Sequence, residues 1–143
     1  MTLKQALNKQ LANWNVLNTK LHNFHWYVKG PDFFTLHTKF EEYYTEAAGY
    51  IDQIAERILT IKERPIATLS EYLELATIQE ATNNESPADM VRAIAADFEQ
   101  IINESSELIQ IASEQEDEST ADMFIQIKTS LEQHVWMLRA YLG

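Results

Sequence analysis

The chain is predicted to be all-α, a bundle of four long helices with a short extra helix in the crossover between the second and third long ones. Three observations carry this expectation. Apolar residues recur at helical spacing over four long stretches. Only three glycines and three prolines occur in 143 residues, and most fall where that periodicity breaks. Two of the connections are short, whereas the middle one runs to roughly two dozen residues.

The first helix, α1, is predicted from Leu3 to Lys29, with Leu7, Leu11, Trp14, Leu21 and Val28 on a heptad-like stripe and Gly30-Pro31 as its stop. The second, α2, follows to about Lys62, and Pro65 marks the next break. Thr68 can cap a short α3 carrying Leu69, Tyr72, Leu73 and Ala76. The loop Asn83-Asn84-Glu85 leads into Ser86-Pro87-Ala88-Asp89, which supplies a cap, a proline at the first helical position and an acid at the third. From there α4 runs to about Ser113. The acidic stretch Glu114-Gln115-Glu116-Asp117-Glu118 precedes α5, whose stripe is Met123, Ile127, Leu131 and Leu138 and which ends before Gly143. Trp14, Trp26 and Trp136 are expected to pack in or near the core. Short connections make α1–α2 and α4–α5 antiparallel, and the long crossover makes α2 and α4 parallel, an arrangement that resembles the ferritin-like four-helix bundle.

Residues 1–143 form one domain, with 45% hydrophobic residues, enough for a substantial core. Cysteine is absent, Met1-Thr2-Leu3-Lys4-Gln5 lacks a signal-like apolar block, and no run approaches the roughly 18 apolar residues of a membrane span. A cytoplasmic location without membrane association is expected. The formal charge of −11 argues against broad nucleic-acid affinity and is compatible with attraction of cations. Residues 1–31 nevertheless hold Lys4, Lys9, Lys20 and Lys29 and no acid, which makes α1 the basic side.

The most informative chemistry lies on α2. His37 and Glu41, and further along Asp52 and Glu56, form two i,i+4 pairs. At about 100° per residue the pairs face nearly the same way, yet His37 and Asp52 stand roughly 22 Å apart along the axis. One chain cannot close a site from these groups. Their positions are symmetric about a point between residues 46 and 47, as an antiparallel copy of the same helix requires. Thr45, Ala47, Ala48 and Gly49 are small there and would admit a close crossing. His37 would then lie opposite Glu56 of the partner subunit, and Glu41 opposite Asp52 of the partner subunit. Imidazole with carboxylate suits Fe(II), Zn(II) or Mn(II), and iron is the leading candidate. The spacing also fits packed histidines and solvent-facing acids. None of the histidines at 22, 25, 37 and 134 has a glutamate three residues before it, so the Glu-x-x-His signature of an intrachain di-iron bundle is missing. His25 is either a second imidazole ligand or a core histidine. His22, three residues earlier, can pair with it only by a spacing common by chance. No phosphate loop, Cys/His zinc pattern or Gly-x-Ser-x-Gly elbow occurs.

Lys20-Leu21-His22-Asn23-Phe24-His25-Trp26-Tyr27-Val28-Lys29-Gly30-Pro31, then Phe33-Phe34-Thr35-Leu36-His37 and Asp52-Gln53-Ile54-Ala55-Glu56-Arg57, resemble the Dps family of mini-ferritins. The final Val135-Trp136-Met137-Leu138-Arg139-Ala140-Tyr141-Leu142-Gly143 is similar too, so the likeness covers essentially the whole chain. It implies a homo-oligomer, a hollow dodecamer, with ferroxidase sites across two-fold interfaces and up to two iron ions in each. By that similarity His25, His37, Glu41, Asp52 and Glu56 are the iron ligands and catalytic residues, divided between two chains. His22 has no consistent ligand counterpart. Trp26 and Trp136 match tryptophans to which electron donation is attributed, and Asp117, Glu118 and Asp122 resemble acids of an iron-inlet pore at the three-fold axis. Lys62-Glu63-Arg64-Pro65 stands where many relatives carry Gly-Gly-x-Pro, so a slight extension of α2 is expected. Family members that condense DNA often use a Lys/Arg-rich tail, whereas this sequence begins almost directly in α1, so direct DNA binding is not expected. The resemblance implies a ferroxidase and iron-storage protein that oxidises Fe(II) with hydrogen peroxide or dioxygen. The alternative is an architectural DNA-binding protein with secondary metal binding.

Overall fold

Side-chain caps start four of the five helices, all but α2, in the computed structural model, which describes residues 1–143 as five helices without strands. α1 (Leu3–Tyr27) opens on a capping box in which Thr2 and Gln5 exchange side-chain-to-backbone hydrogen bonds. It stops two residues before its expected end, because Val28 turns extended and Gly30 takes φ 102°. α2 (Phe33–Thr60) follows, then α3 (Leu69–Leu75), capped by Thr68. α4 (Pro87–Glu114) has the expected capping box of Ser86 and Asp89 with proline in the first turn. α5 (Glu118–Leu142) starts from Asp117, whose side chain accepts the Thr120 N–H. No helix is long and apolar enough to cross a membrane.

The expected lengthening of α2 does not occur. Lys62 takes a left-handed conformation (φ 66°), its N–H donates to the Leu59 carbonyl, and the next N–H, from Glu63, reaches back to Ile58. This is the Schellman closure that usually employs glycine. α4 ends the same way, with Glu116 at φ 59° and the Asp117 N–H on the Ala112 carbonyl. Each side chain held there costs roughly 1 kcal/mol, an amount that the two closing hydrogen bonds offset.

Contacts between helices fix the topology. Arg57 donates to Asp117 and Thr120, Glu46 binds Ser130 and His134, and Asp32 accepts from Tyr141, so α2 and α5 run antiparallel. Gln10 and Asn13 reach Glu104 while Lys20 reaches Asp97, which makes α1 and α4 antiparallel. His25 contacts His37 across the α1–α2 turn, so both α2 and α4 oppose α1 and run parallel to each other. That is the crossover arrangement expected from the connection lengths. The crossover is stitched to α1 along its length. Asn8 binds Arg64 and Ile66, Asn13 binds Thr77 and Ile78, and buried Lys20 donates to the Gln79 carbonyl at 2.8 Å.

The α1 stripe of Leu7, Leu11, Trp14, Leu21 and Val28 is buried, as are Met123, Ile127, Leu131 and Leu138 of α5. Only one of the three tryptophans joins this core. Trp26 and Trp136 are 69% and 67% exposed, against the expectation of packing, because they project from positions beside the apolar stripes rather than on them. α3 buries no residue, and Leu69 and Leu73 stay exposed.

A partly buried polar cluster joins α2 to α5. Glu46 accepts hydrogen bonds from Ser130 and His134, both at 2.9 Å, and from the Tyr50 hydroxyl. Burial pushes its carboxyl up, but the bonds from His134, Tyr50 and Ser130 outweigh burial and bring it down from 4.5 to about 2. A carboxyl depressed on folding stabilises the native state above its unfolded pKa, and this contribution is lost as pH falls from 4.5 toward about 2. The unfolding free energies of wild type and Glu46→Gln should therefore converge across that window, as urea titrations at successive pH values would read.

Candidate metal centre

The turn between α1 and α2 brings His25 and His37 together in a reciprocal arrangement. His25 Nδ1 donates to the His37 carbonyl at 2.6 Å, and His37 Nδ1 donates to the His25 carbonyl at 2.7 Å. A carbonyl only accepts, so each Nδ1 carries the hydrogen, and in this tautomer the ring's lone pair lies on Nε2. The rings stack at 3.7 Å and 13°, and Phe33 stacks on the far side of His37 at 4.7 Å. His25 is buried and His37 half-buried. Both imidazoles are thus oriented by the backbone in the manner of metal-binding histidines.

Glu41 completes the cluster from α2. Its Oε1 lies 3.9 Å from His25 Nε2 and accepts the Tyr44 hydroxyl at 3.3 Å. The i,i+4 spacing alone pairs Glu41 with His37, whereas the contact formed is with His25 of the neighbouring helix. Burial and the adjacent Glu41 carboxylate raise the Tyr44 pKa, which keeps its hydroxyl protonated as a donor. Tyr44 was not singled out by the sequence pattern, although it sits three residues from Glu41, the spacing at which helical side chains meet.

Asp52 and Glu56 lie exposed further along α2, and their carboxylates make no ion pair and no hydrogen bond. Within one protomer no three histidine or acidic side chains converge closely enough to hold a metal ion. His25, His37 and Glu41 are brought together, while Asp52 and Glu56 form a separate pair. Thr45, Ala48 and Gly49 are exposed between the two groups, and a Cβ added at Gly49 would meet nothing within 4 Å. Ala47 is fully buried, so it belongs to the core and not to the proposed crossing surface.

The remaining candidates have distinct surroundings. His22 Nδ1 donates to the Asn18 carbonyl at 2.7 Å, and its ring stacks on Tyr44 at 3.7 Å. Trp26 packs on His22 with ring centroids 5.4 Å apart, whereas Trp136 lies exposed on α5. Asp117 is already engaged, capping α5 and pairing with Arg57 at 2.9 Å. Burial pushes its carboxyl up, but the Thr120 hydrogen bonds and Arg57 bring it below the usual range. Glu118 and Asp122 are exposed, and Asp122 shares a polar groove with Gln53, Glu56 and Gln126.

The basic character expected of α1 is largely cancelled. Lys4 pairs with Glu63 at 3.7 Å, Lys9 with Glu104 at 3.6 Å and Lys20 with Asp97 at 2.8 Å. Of the four lysines, Lys29 alone makes no ion pair.

Comparison with known proteins places these features in a family. Residues 4–143 match the ferritin-like domain model. A relative in Bacillus anthracis, DNA protection during starvation protein 2, is 57% identical over 97% of this chain and 95% of its own length. General stress protein 20U of Bacillus subtilis is 53% identical over 99% of this chain and 97% of its own. The crystal structure of a Dps protein from Bacillus brevis superposes with a TM-score of 0.98 at 55% identity, covering 99% of this chain and 95% of that one.

Proposed function

We propose, for a chain that belongs to the Dps family of ferritin-like proteins, that its activity is ferroxidation and iron storage in a hollow cytoplasmic homo-oligomer, a dodecamer. Fe(II) is the substrate, hydrogen peroxide or dioxygen the oxidant and ferric mineral the retained product. The observation that carries this reading is the reciprocal His25–His37 arrangement, which engages both Nδ1 atoms and leaves both Nε2 atoms without a hydrogen bond, that of His25 lying 3.9 Å from the Glu41 carboxylate. Asp52 and Glu56 of the partner subunit would complete each site across a two-fold interface, so each would draw on five side chains and hold up to two irons. The carboxylates offset the charge that grows as Fe(II) becomes Fe(III), and the neutral imidazoles anchor the ion without adding charge. Two Fe(II) ions supply the two electrons that, with two protons, reduce one peroxide to two waters, so no hydroxyl radical is released. On the family likeness, Trp26 and Trp136 would act as electron donors and Asp117, Glu118 and Asp122 as pore acids.

An anaerobic Fe(II) titration of the assembled protein, followed by peroxide, tests this. Saturable binding and consumption of about two Fe(II) per peroxide are expected. Failure to bind Fe(II), or to oxidise it with either peroxide or dioxygen once loaded, would overturn the reading.

The names of the relatives keep a second reading in view, an architectural role on DNA. The ion pairs that neutralise Lys4, Lys9 and Lys20 oppose it, as does the charge of −11. Protection would instead come from removing Fe(II) and peroxide together. Gel-shift assays in about 150 mM salt without divalent metal should show no stable complex. A tight complex under those conditions would favour the architectural reading.

A further inference from the structure

The geometry points to Tyr44 as a positioning residue that, supported by His22, aims Glu41 at His25; this inference rests on the proposed ferroxidase site. Glu41 stands on an exposed helix face and would otherwise sample several rotamers around His37, its i,i+4 neighbour. Two contacts on one oxygen define the orientation instead. Oε1 accepts the Tyr44 hydroxyl at 3.3 Å and lies 3.9 Å from His25 Nε2. The Oε2 atom makes no hydrogen bond and is left for a cation.

Tyr44 is itself held on two sides. One ring face stacks on His22 at 3.7 Å and 17°, and the ring stands edge-on to His25 at 5.3 Å and 87°. His22 is fixed in turn by its Nδ1–H bond to the Asn18 carbonyl inside α1. A backbone carbonyl of α1 therefore determines, through one imidazole and one phenol, where a carboxylate of α2 sits. This also gives His22 a role that requires no metal contact: its free Nε2 need not ligate anything for its ring to matter.

A hydrogen bond that orients a ligating group contributes through metal affinity, and loss of such a partner typically weakens binding by about tenfold or more. Tyr44→Phe removes the hydroxyl and keeps the ring, so assembly should be unchanged. Anaerobic equilibrium dialysis with Fe(II) on the assembled protein should show about tenfold weaker binding in this variant. In a Glu41→Ala background the same substitution should have almost no further effect, because the group it positions is gone. An equal loss in both backgrounds would assign Tyr44 a merely structural role and overturn the inference. Affinity within about twofold of wild type for Tyr44→Phe would overturn it too, while leaving the ferroxidase reading intact. If wild type itself binds no Fe(II), the ferroxidase reading fails first. Should Tyr44→Phe not assemble, His22→Ala must show a loss in the same direction, and wild-type affinity there would equally overturn the proposal.

Discussion

Mixing two inactive variants, His37→Asn and Glu56→Ala, should restore about a quarter of wild-type ferroxidase activity. Random pairing makes about half of the two-fold dimers mixed, and each mixed dimer holds one intact site opposite one doubly damaged site. Asparagine is the better replacement at 37, because its Nδ2 can take over the hydrogen bond of the imidazole Nδ1 to the His25 carbonyl while nothing stands in for Nε2. Each parent alone should be nearly inactive, since every one of its sites lacks a ligand. Native mass spectrometry would confirm co-assembly, and stopped-flow oxidation of Fe(II) would read activity. Mixed assemblies without activity would exclude a site shared between subunits.

Asp52→Asn should retain folding and assembly yet bind Fe(II) about tenfold or more weakly and oxidise it correspondingly slowly. The carboxylate is exposed and has no hydrogen-bond partner in the protomer, so the amide disturbs nothing there. In the proposed site it would remove a negative charge close to an ion whose own charge rises during reaction. A packing or interface role would instead leave iron chemistry unchanged. Measuring anaerobic binding and peroxide-driven oxidation on one assembled sample separates the two, and wild-type values in both would remove Asp52 from the site.

Helix starts were legible because their determinants are local. Thr68 and the Ser86-Pro87-Asp89 box each act over one turn, and both helices begin where those residues place them. The α2 end was misread because glycine is the usual residue in the left-handed position, and Lys62 occupies it without glycine's freedom. Tryptophan size misled in another way. Trp26 and Trp136 have the composition of core residues but the helical phase of surface ones. Lys20 illustrates what no local pattern reveals, since its partners at Gln79 and Asp97 lie far along the chain. The same holds for the candidate metal site. Periodicity shows that His37, Glu41, Asp52 and Glu56 share a face, but not that His25 and His37 cross-bond through their carbonyls.

Gly49 has a consequence for the life of an unassembled subunit. In mid-helix it is roughly 1 kcal/mol less favourable than alanine, and inside the protomer its missing Cβ relieves no contact. In the proposed crossing, that penalty falls on the free chain while the benefit arises only when a second helix approaches. Folding and association are then linked by mass action, so protomer stability rises with subunit concentration. A newly made or dissociated subunit would be the species most open to proteolysis, and dilution would expose it by shifting the proposed assembly toward free subunits.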